Sequence, residues 1–117
     1  AEATSNESTQ KAKLQLEDLL IWKIADELKL TPEAEKKISD VIKSINKKKH
    51  DTNQEIEKLT KEIIKSDDEK VKTKAFNKLR KKLQQHGMIA VEELEQVKAA
   101  IGVKKLGQYL EVKNDIS

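Results

Sequence analysis

Between Leu14 and Leu28 apolar residues crowd the chain. Leu16, Leu20, Ile24 and Leu28 recur every four residues, the repeat of one helix face. Leu19, Ile21 and Trp22 widen that stripe until it runs most of the way round, which predicts a helix buried on more than one side. A second stripe reads Ile38, Ile42, Ile45, Lys49, Thr52, Ile56, Leu59 and Ile63, spaced alternately four and three residues. That is a heptad seam with two polar positions in its middle. It predicts a helix over residues 32–65, a rod of about 50 Å at 1.5 Å per residue. The third stripe reads Val71 or Lys72, Phe76, Leu79 and Leu83, then Ala90, Leu94, Val97 and Ile101. Gly87 interrupts it. A glycine inside a helix costs only about 1 kcal/mol relative to alanine, so one helix from 67 to about 100 is expected, with a break at Gly87 as the rival. Gly102 ends the run, and residues 103–112 make a short last helix carrying Leu106, Tyr109 and Leu110. Residues 1–11 contain no large apolar residue and read as a flexible, solvated arm, leaving 12–117 as a single all-helical domain.

The helix starts carry their own signals. Thr31 is placed to cap with its hydroxyl, and Pro32 occupies a first-turn position that needs no N–H. Glu33 complements the helix dipole, and Leu30 precedes the cap. A full capping box would carry Glu or Gln where Ala34 stands. Ser66 or Asp67 is the expected cap of the third helix, with Glu69 in its first turn.

Two rods joined by a short turn must lie antiparallel. With the turn near residue 66, partners across it sum to roughly 132 in residue number. Met88 to Val91 then falls beside Val41 and Ile42, so the core is expected away from the turn, where the first helix, the roots of the rods and the last helix meet. The same register sets Lys47, Lys48, Lys49 and His50 near Lys78, Arg80, Lys81 and Lys82. Two lysine runs at one level repel each other unless they face water or an anion. They therefore read either as a solvated surface or as a basic belt that steers acidic partners.

Composition sharpens this picture. Apolar residues make up 36% of the 117 residues and charged ones 38%, against a usual apolar share of roughly 45–50%. Helices with one apolar stripe each, packed thinly or against a second copy, fit that balance better than a deep core. The net charge of +3 is weak evidence for an anionic partner. Arg80 is the only arginine, and Trp22, Phe76 and Tyr109 are far apart in sequence. Nucleic-acid readers lean on arginine forks and stacked aromatics, so no nucleic-acid partner is expected. No apolar run approaches the roughly 20 residues of a membrane span.

Candidate chemistry is sparse. The chain has no cysteine, no serine in a nucleophile context and no glycine-rich phosphate loop, so no enzyme is expected. Asp67 and Asp68 are explained by capping. The hairpin register sets His50 opposite about residue 82, with His86 roughly one helical turn further along. With Asp51 and Met88, the two imidazoles make a candidate site for a divalent metal, although the surrounding lysines oppose a cation. A groove of Ile, Leu and Val edged with lysine would instead hold many protein segments weakly. The polar opening Ala1-Glu2-Ala3, without an initiator Met, fits an exported chain after signal-peptide removal, or a trimmed one.

A short helix containing IWKIADELKLTPEAEKK leads through LTPE into a long helical pair, and VKKLGQYLEVKND follows a helix end. Over residues 16 to 114 this order resembles the periplasmic Spy/CpxP-type proteins, which carry paired L-T-x-x-Q motifs. The first motif maps to Leu30, Thr31, Pro32, Glu33 and Ala34, without its Gln. The second maps to Ile101, Gly102, Val103, Lys104 and Lys105, followed by Leu106 and Tyr109, without its Thr or Gln. The resemblance implies an all-α fold: a long antiparallel helical hairpin with short helices at both ends, paired into a cradle-like homodimer in the bacterial periplasm. It also implies a non-enzymatic stress protein that binds unfolded or regulatory protein partners without ATP. The alternative within the same resemblance is a metal-responsive sensor or carrier using His50 and His86.

Overall fold

The computed structural model describes the backbone of residues 2–116 and, Leu14 apart, the side chains of residues 12–115. Three helices make up nearly all of it: α1 (Glu2–Glu27), α2 (Pro32–Lys65) and α3 (Glu69–Ile116). No strand occurs among the described residues. The backbone of α1 starts at Glu2, so most of the stretch expected as a flexible arm is helical. Nothing in residues 2–11 breaks a helix. Once later turns are formed, propagation costs little where neither Gly nor Pro intervenes.

The ends of the helices follow local chemistry. At the end of α1, Lys29 N–H donates to the Asp26 carbonyl (3.3 Å) and Leu30 N–H to that of Ala25 (3.0 Å). These are the two bonds of a Schellman closure. The closure needs a left-handed residue, and Lys29 supplies it at φ 52°. Two residues later Thr31 Oγ1 accepts the Ala34 N–H at 3.2 Å, so half of a capping box forms without its acidic member. Before α3, Asp68 N–H donates to Ser66 Oγ (3.1 Å) and Lys70 N–H to Asp68 Oδ1 (2.9 Å). The cap is therefore Asp68, not Asp67 or Ser66. Ser66 shapes the turn one step earlier and sets the carboxylate over the first free N–H groups of the helix.

Helix α3 passes through Gly87 without a break and is interrupted only at Gly102, with φ 84° and ψ 163°. Few residues other than glycine adopt that conformation. The expected end of the long helix thus lies where the sequence placed it, and the last segment continues to Ile116.

The chain groups into two compact units, residues 1–43 with 95–117 and residues 44–94. In the first, Ile21, Ile24 and Leu28 of α1 pack with Ile38 and Ile42 of α2 and with Val97, Tyr109 and Val112 of α3. Leu20, Leu30, Val41, Ala100, Ile101 and Leu106 lie against that cluster. Both landmarks of the second motif, Leu106 and Tyr109, are therefore core residues, Tyr109 fully buried.

The second unit is thinner. It buries Ile45, Leu59, Ala75 and Ile89, with Glu93 among them at 6% exposure. The α2 seam lies where the heptad put it: Ile45 and Leu59 are buried, and Lys49, Thr52, Ile56 and Ile63 half-buried. The α3 seam does so only in part. Phe76, Leu83, Ala90 and Leu94, expected inside, are exposed. Lys72, Leu79, Val97 and Ile101 lie inside as expected, while Ala75, Lys82, Ile89 and Glu93, buried or half-buried, stand in place of the four exposed residues. This is a shift of one residue at each of the four, about 100° of rotation. Its physical reason is the polar break in the α2 seam. Lys49 is partly withdrawn from water, and in this rotation the nearly buried Glu93 carboxylate meets its ammonium group at 3.3 Å.

Candidate functional site

The lysine run Lys47-Lys48-Lys49 sits on α2 among four ordinary helical turns with no Gly or Pro near it. Successive residues of a helix point about 100° apart, so the three ammonium groups leave in different directions and find different partners. Lys47 Nζ donates to Asp51 Oδ2 at 2.8 Å, one turn along α2. Lys48 Nζ donates to Glu92 Oε1 at 2.6 Å, and Lys49 Nζ to Glu93 Oε1 at 3.3 Å, both on α3.

These contacts correct the register expected from the sequence. Lys48 and Lys49 meet residues 44 positions away, at Glu92 and Glu93, and not the level of Lys78 to Lys82. A turn-centred sum assumes that side chains reach straight across. The long lysine stems and the rotated α3 seam carry the contacts further along. All three ammonium groups of the first run are matched by carboxylates, so that run is not an uncompensated positive stretch. Lys78, Arg80 and Lys81 are exposed and Lys82 is half-buried along the α3 seam. None of these four makes an ion pair among the described residues.

The electrostatics follow the geometry. The hydrogen bond from Lys47 holds the Asp51 carboxyl below its ordinary value, with a further, smaller pull from the Lys47 and His50 charges. The same bond raises the Lys47 ammonium. Both groups are in water, so the pair is readily screened by salt. Glu93 differs, since its side chain is only 8% exposed where it meets Lys49. No buried side-chain nitrogen or oxygen is without a partner among the described residues.

The metal candidate is not assembled. His50 and His86 are both exposed, and Asp51, the carboxylate expected to join them, is occupied by an ammonium group. No three of the residues His, Cys, Asp and Glu gather as a metal would require among the described residues. The motif residues Leu30, Thr31, Pro32 and Glu33 perform the helix start described above, and Glu33 pairs loosely with Lys37 at 3.8 Å.

Two features escaped the sequence reading. Lys58, Lys61 and Lys65 line an open hollow with Glu62, Ser66 and Val71 beside the α2–α3 connection. Their spacing of three and four residues on α2 was the available signal. Large apolar side chains also remain in water on the α1 side facing away from Ile21, Ile24 and Leu28. Leu16 is 65%, Leu19 59% and Trp22 61% exposed. Their spacing of three residues was legible, but an all-round apolar helix had been expected to bury them.

No known family model, curated protein or solved structure matches this chain.

Proposed function

We propose that this protein is a non-enzymatic, ATP-independent holder of unfolded or regulatory protein segments, a periplasmic stress protein of Spy/CpxP kind that works as a homodimer. The observation that carries the reading is the exposed apolar stripe Leu16, Leu19 and Trp22 on a helix whose opposite side is fully packed. Single exposed leucines are ordinary, but three large apolar side chains in one row mark a contact surface. A tryptophan among them is the residue type that most often anchors such contacts. Lysines spread over α2 and α3 add long-range attraction for acidic segments without demanding one shape.

In this reading residues 44–94 form an antiparallel helical hairpin. The three-residue connection at 66–68 and the Lys48–Glu92 and Lys49–Glu93 pairs support it. The LTPE start and the Leu106 and Tyr109 landmarks support the Spy/CpxP kinship.

The test is light scattering from a chemically denatured client diluted into buffer without nucleotide. One chain per client molecule should suppress aggregation, and Trp22→Gln with Leu19→Gln should lose most of that effect while keeping its helical circular dichroism. Several unrelated clients aggregating at the same rate with and without the protein would remove the reading. The metal-sensor alternative has no assembled ligand set to support it.

A further inference from the structure

We propose that residues 70–91 of α3 dock on the surface of an anionic phospholipid bilayer, with Phe76 and Leu83 entering the headgroup layer. The proposal goes beyond client holding and rests on a different helix. This stretch carries six lysines and Arg80 but no acidic residue. Taking these seven from the 24 basic residues of the chain leaves 17 against 21 acidic ones. A net charge of +3 is therefore divided into a run of +7 and a remainder of −4. None of the seven cations makes an ion pair among the described residues, unlike Lys47, Lys48 and Lys49 on α2.

The helical repeat arranges apolar and basic side chains side by side. Phe76 and Leu83, seven residues apart, fall within about 20° of each other around α3. Both are in water, at 57% and 53% exposure. Lys72 and Arg80 flank Phe76 at about 40° to either side. The buried Ala75 and Ile89 lie round one side of the helix, and the exposed Lys70, Lys74 and Lys81 round the other. A basic helix with apolar residues between its cations lies in the plane of a membrane interface. Its apolar side chains pass below the headgroups, while lysine stems carry the ammonium groups back to the phosphates.

Charge and shape favour lipid over the other polyanions. A nucleic-acid reader uses arginine forks and stacked aromatics, and this stretch has one arginine and one aromatic. Lysine is a compact point charge that meets a phosphate from any direction, which suits a surface of mobile headgroups. The helix is regular through Gly87, so the cations extend along about 33 Å of straight rod. A flat anionic surface meets that rod along its whole length, whereas an acidic peptide would have to be ordered along it at an entropic cost. Phe76 and Leu83 also leave water only where an apolar layer lies beneath the charges. The −4 of the remaining residues repels the same surface, so charge also sets the orientation.

Co-sedimentation of the full chain with lipid vesicles tests this, with circular dichroism to monitor folding. The protein should pellet with vesicles of mixed phosphatidylglycerol and phosphatidylcholine, stay in solution with phosphatidylcholine alone, and be released as salt is raised. Lys70→Gln/Lys74→Gln/Lys81→Gln should weaken binding at least twentyfold, since one cation near an anionic surface contributes about fivefold. Phe76→Gln/Leu83→Gln should weaken it at least tenfold. All five positions are exposed, so both variants should keep the helicity of the wild type. No binding to anionic vesicles, or equal binding to neutral ones, would overturn the proposal. Unchanged binding of Phe76→Gln/Leu83→Gln would overturn it too, as would loss of binding in Leu19→Gln/Trp22→Gln, which would make α1 the anchor. Poly-glutamate or duplex DNA bound as tightly as the vesicles would replace lipid by an acidic protein or a nucleic acid. Client holding, read by the scattering assay, should survive Phe76→Gln/Leu83→Gln, so the two readings fail separately.

Discussion

Lys29 closes α1 in a backbone conformation that glycine adopts freely and lysine does not. Its φ of 52° is set by the two Schellman bonds to Ala25 and Asp26, which outweigh the steric cost at Cβ. Lys29→Gly removes that cost and should stabilise the protein by about 0.5–1 kcal/mol, seen as a rise in the denaturant midpoint at unchanged m-value. A loss of stability would mean that the lysine stem contributes more than its strain. The neighbouring Thr31 cap shows how a single residue's role is read locally. Its hydroxyl needs only a helix beginning at Pro32, so its bond to the Ala34 N–H was legible in the sequence. The cap of α3 was less so, because Ser66, Asp67 and Asp68 all have capping chemistry and only the path of the turn selects Asp68.

At the scale of the element, α2 and α3 illustrate two degrees of legibility. The α2 seam carries isoleucine and leucine at six of its eight positions, and no competing stripe exists on that helix. The α3 seam mixes Ala75, Leu79 and Ile89 with Lys72, Lys82 and Glu93, while its neighbouring stripe holds Phe76, Leu83 and Leu94. Reading by apolarity alone selects the wrong face. The decisive contact is polar, between Lys49 and the nearly buried Glu93. Removing one partner of such a pair leaves a poorly solvated charge. Lys49→Met should therefore cost about 1–2 kcal/mol, below the figure for fully buried pairs because Lys49 is itself partly in water. The double variant Lys49→Met/Glu93→Leu replaces both groups by apolar ones and should recover most of that loss in chemical denaturation. If the double variant is as unstable as the sum of the single ones, the pair does not act as a unit.

At the scale of the whole molecule, the apolar residues are divided unequally between the two units. Eight buried residues form one cluster from all three helices in residues 1–43 and 95–117, while residues 44–94 bury only scattered apolar side chains along one seam. Local opening costs less where fewer apolar contacts break. Amide hydrogen exchange should therefore be slower for Ile21–Leu28, Ile38–Ile42 and the turns around Val97 and Tyr109 than for residues 50–64 and 72–86. Equal protection along the whole of α2 would show that the chain opens as one cooperative body. The +3 net charge and 38% charged residues keep both units well solvated. The two histidines, legible as candidate ligands by residue type, are both exposed.

The sequence alone determined what depends on neighbours within about four residues. That includes the helical stretches themselves, the Thr31 start and the break at Gly102, because capping, φ preference and the helical repeat act over that range. Tertiary structure alone decided which way α3 turns about its axis and which carboxylates meet Lys48 and Lys49. Those outcomes require residues 44 positions apart to choose each other, and a helix with two stripes offers two choices until a buried charge rejects one.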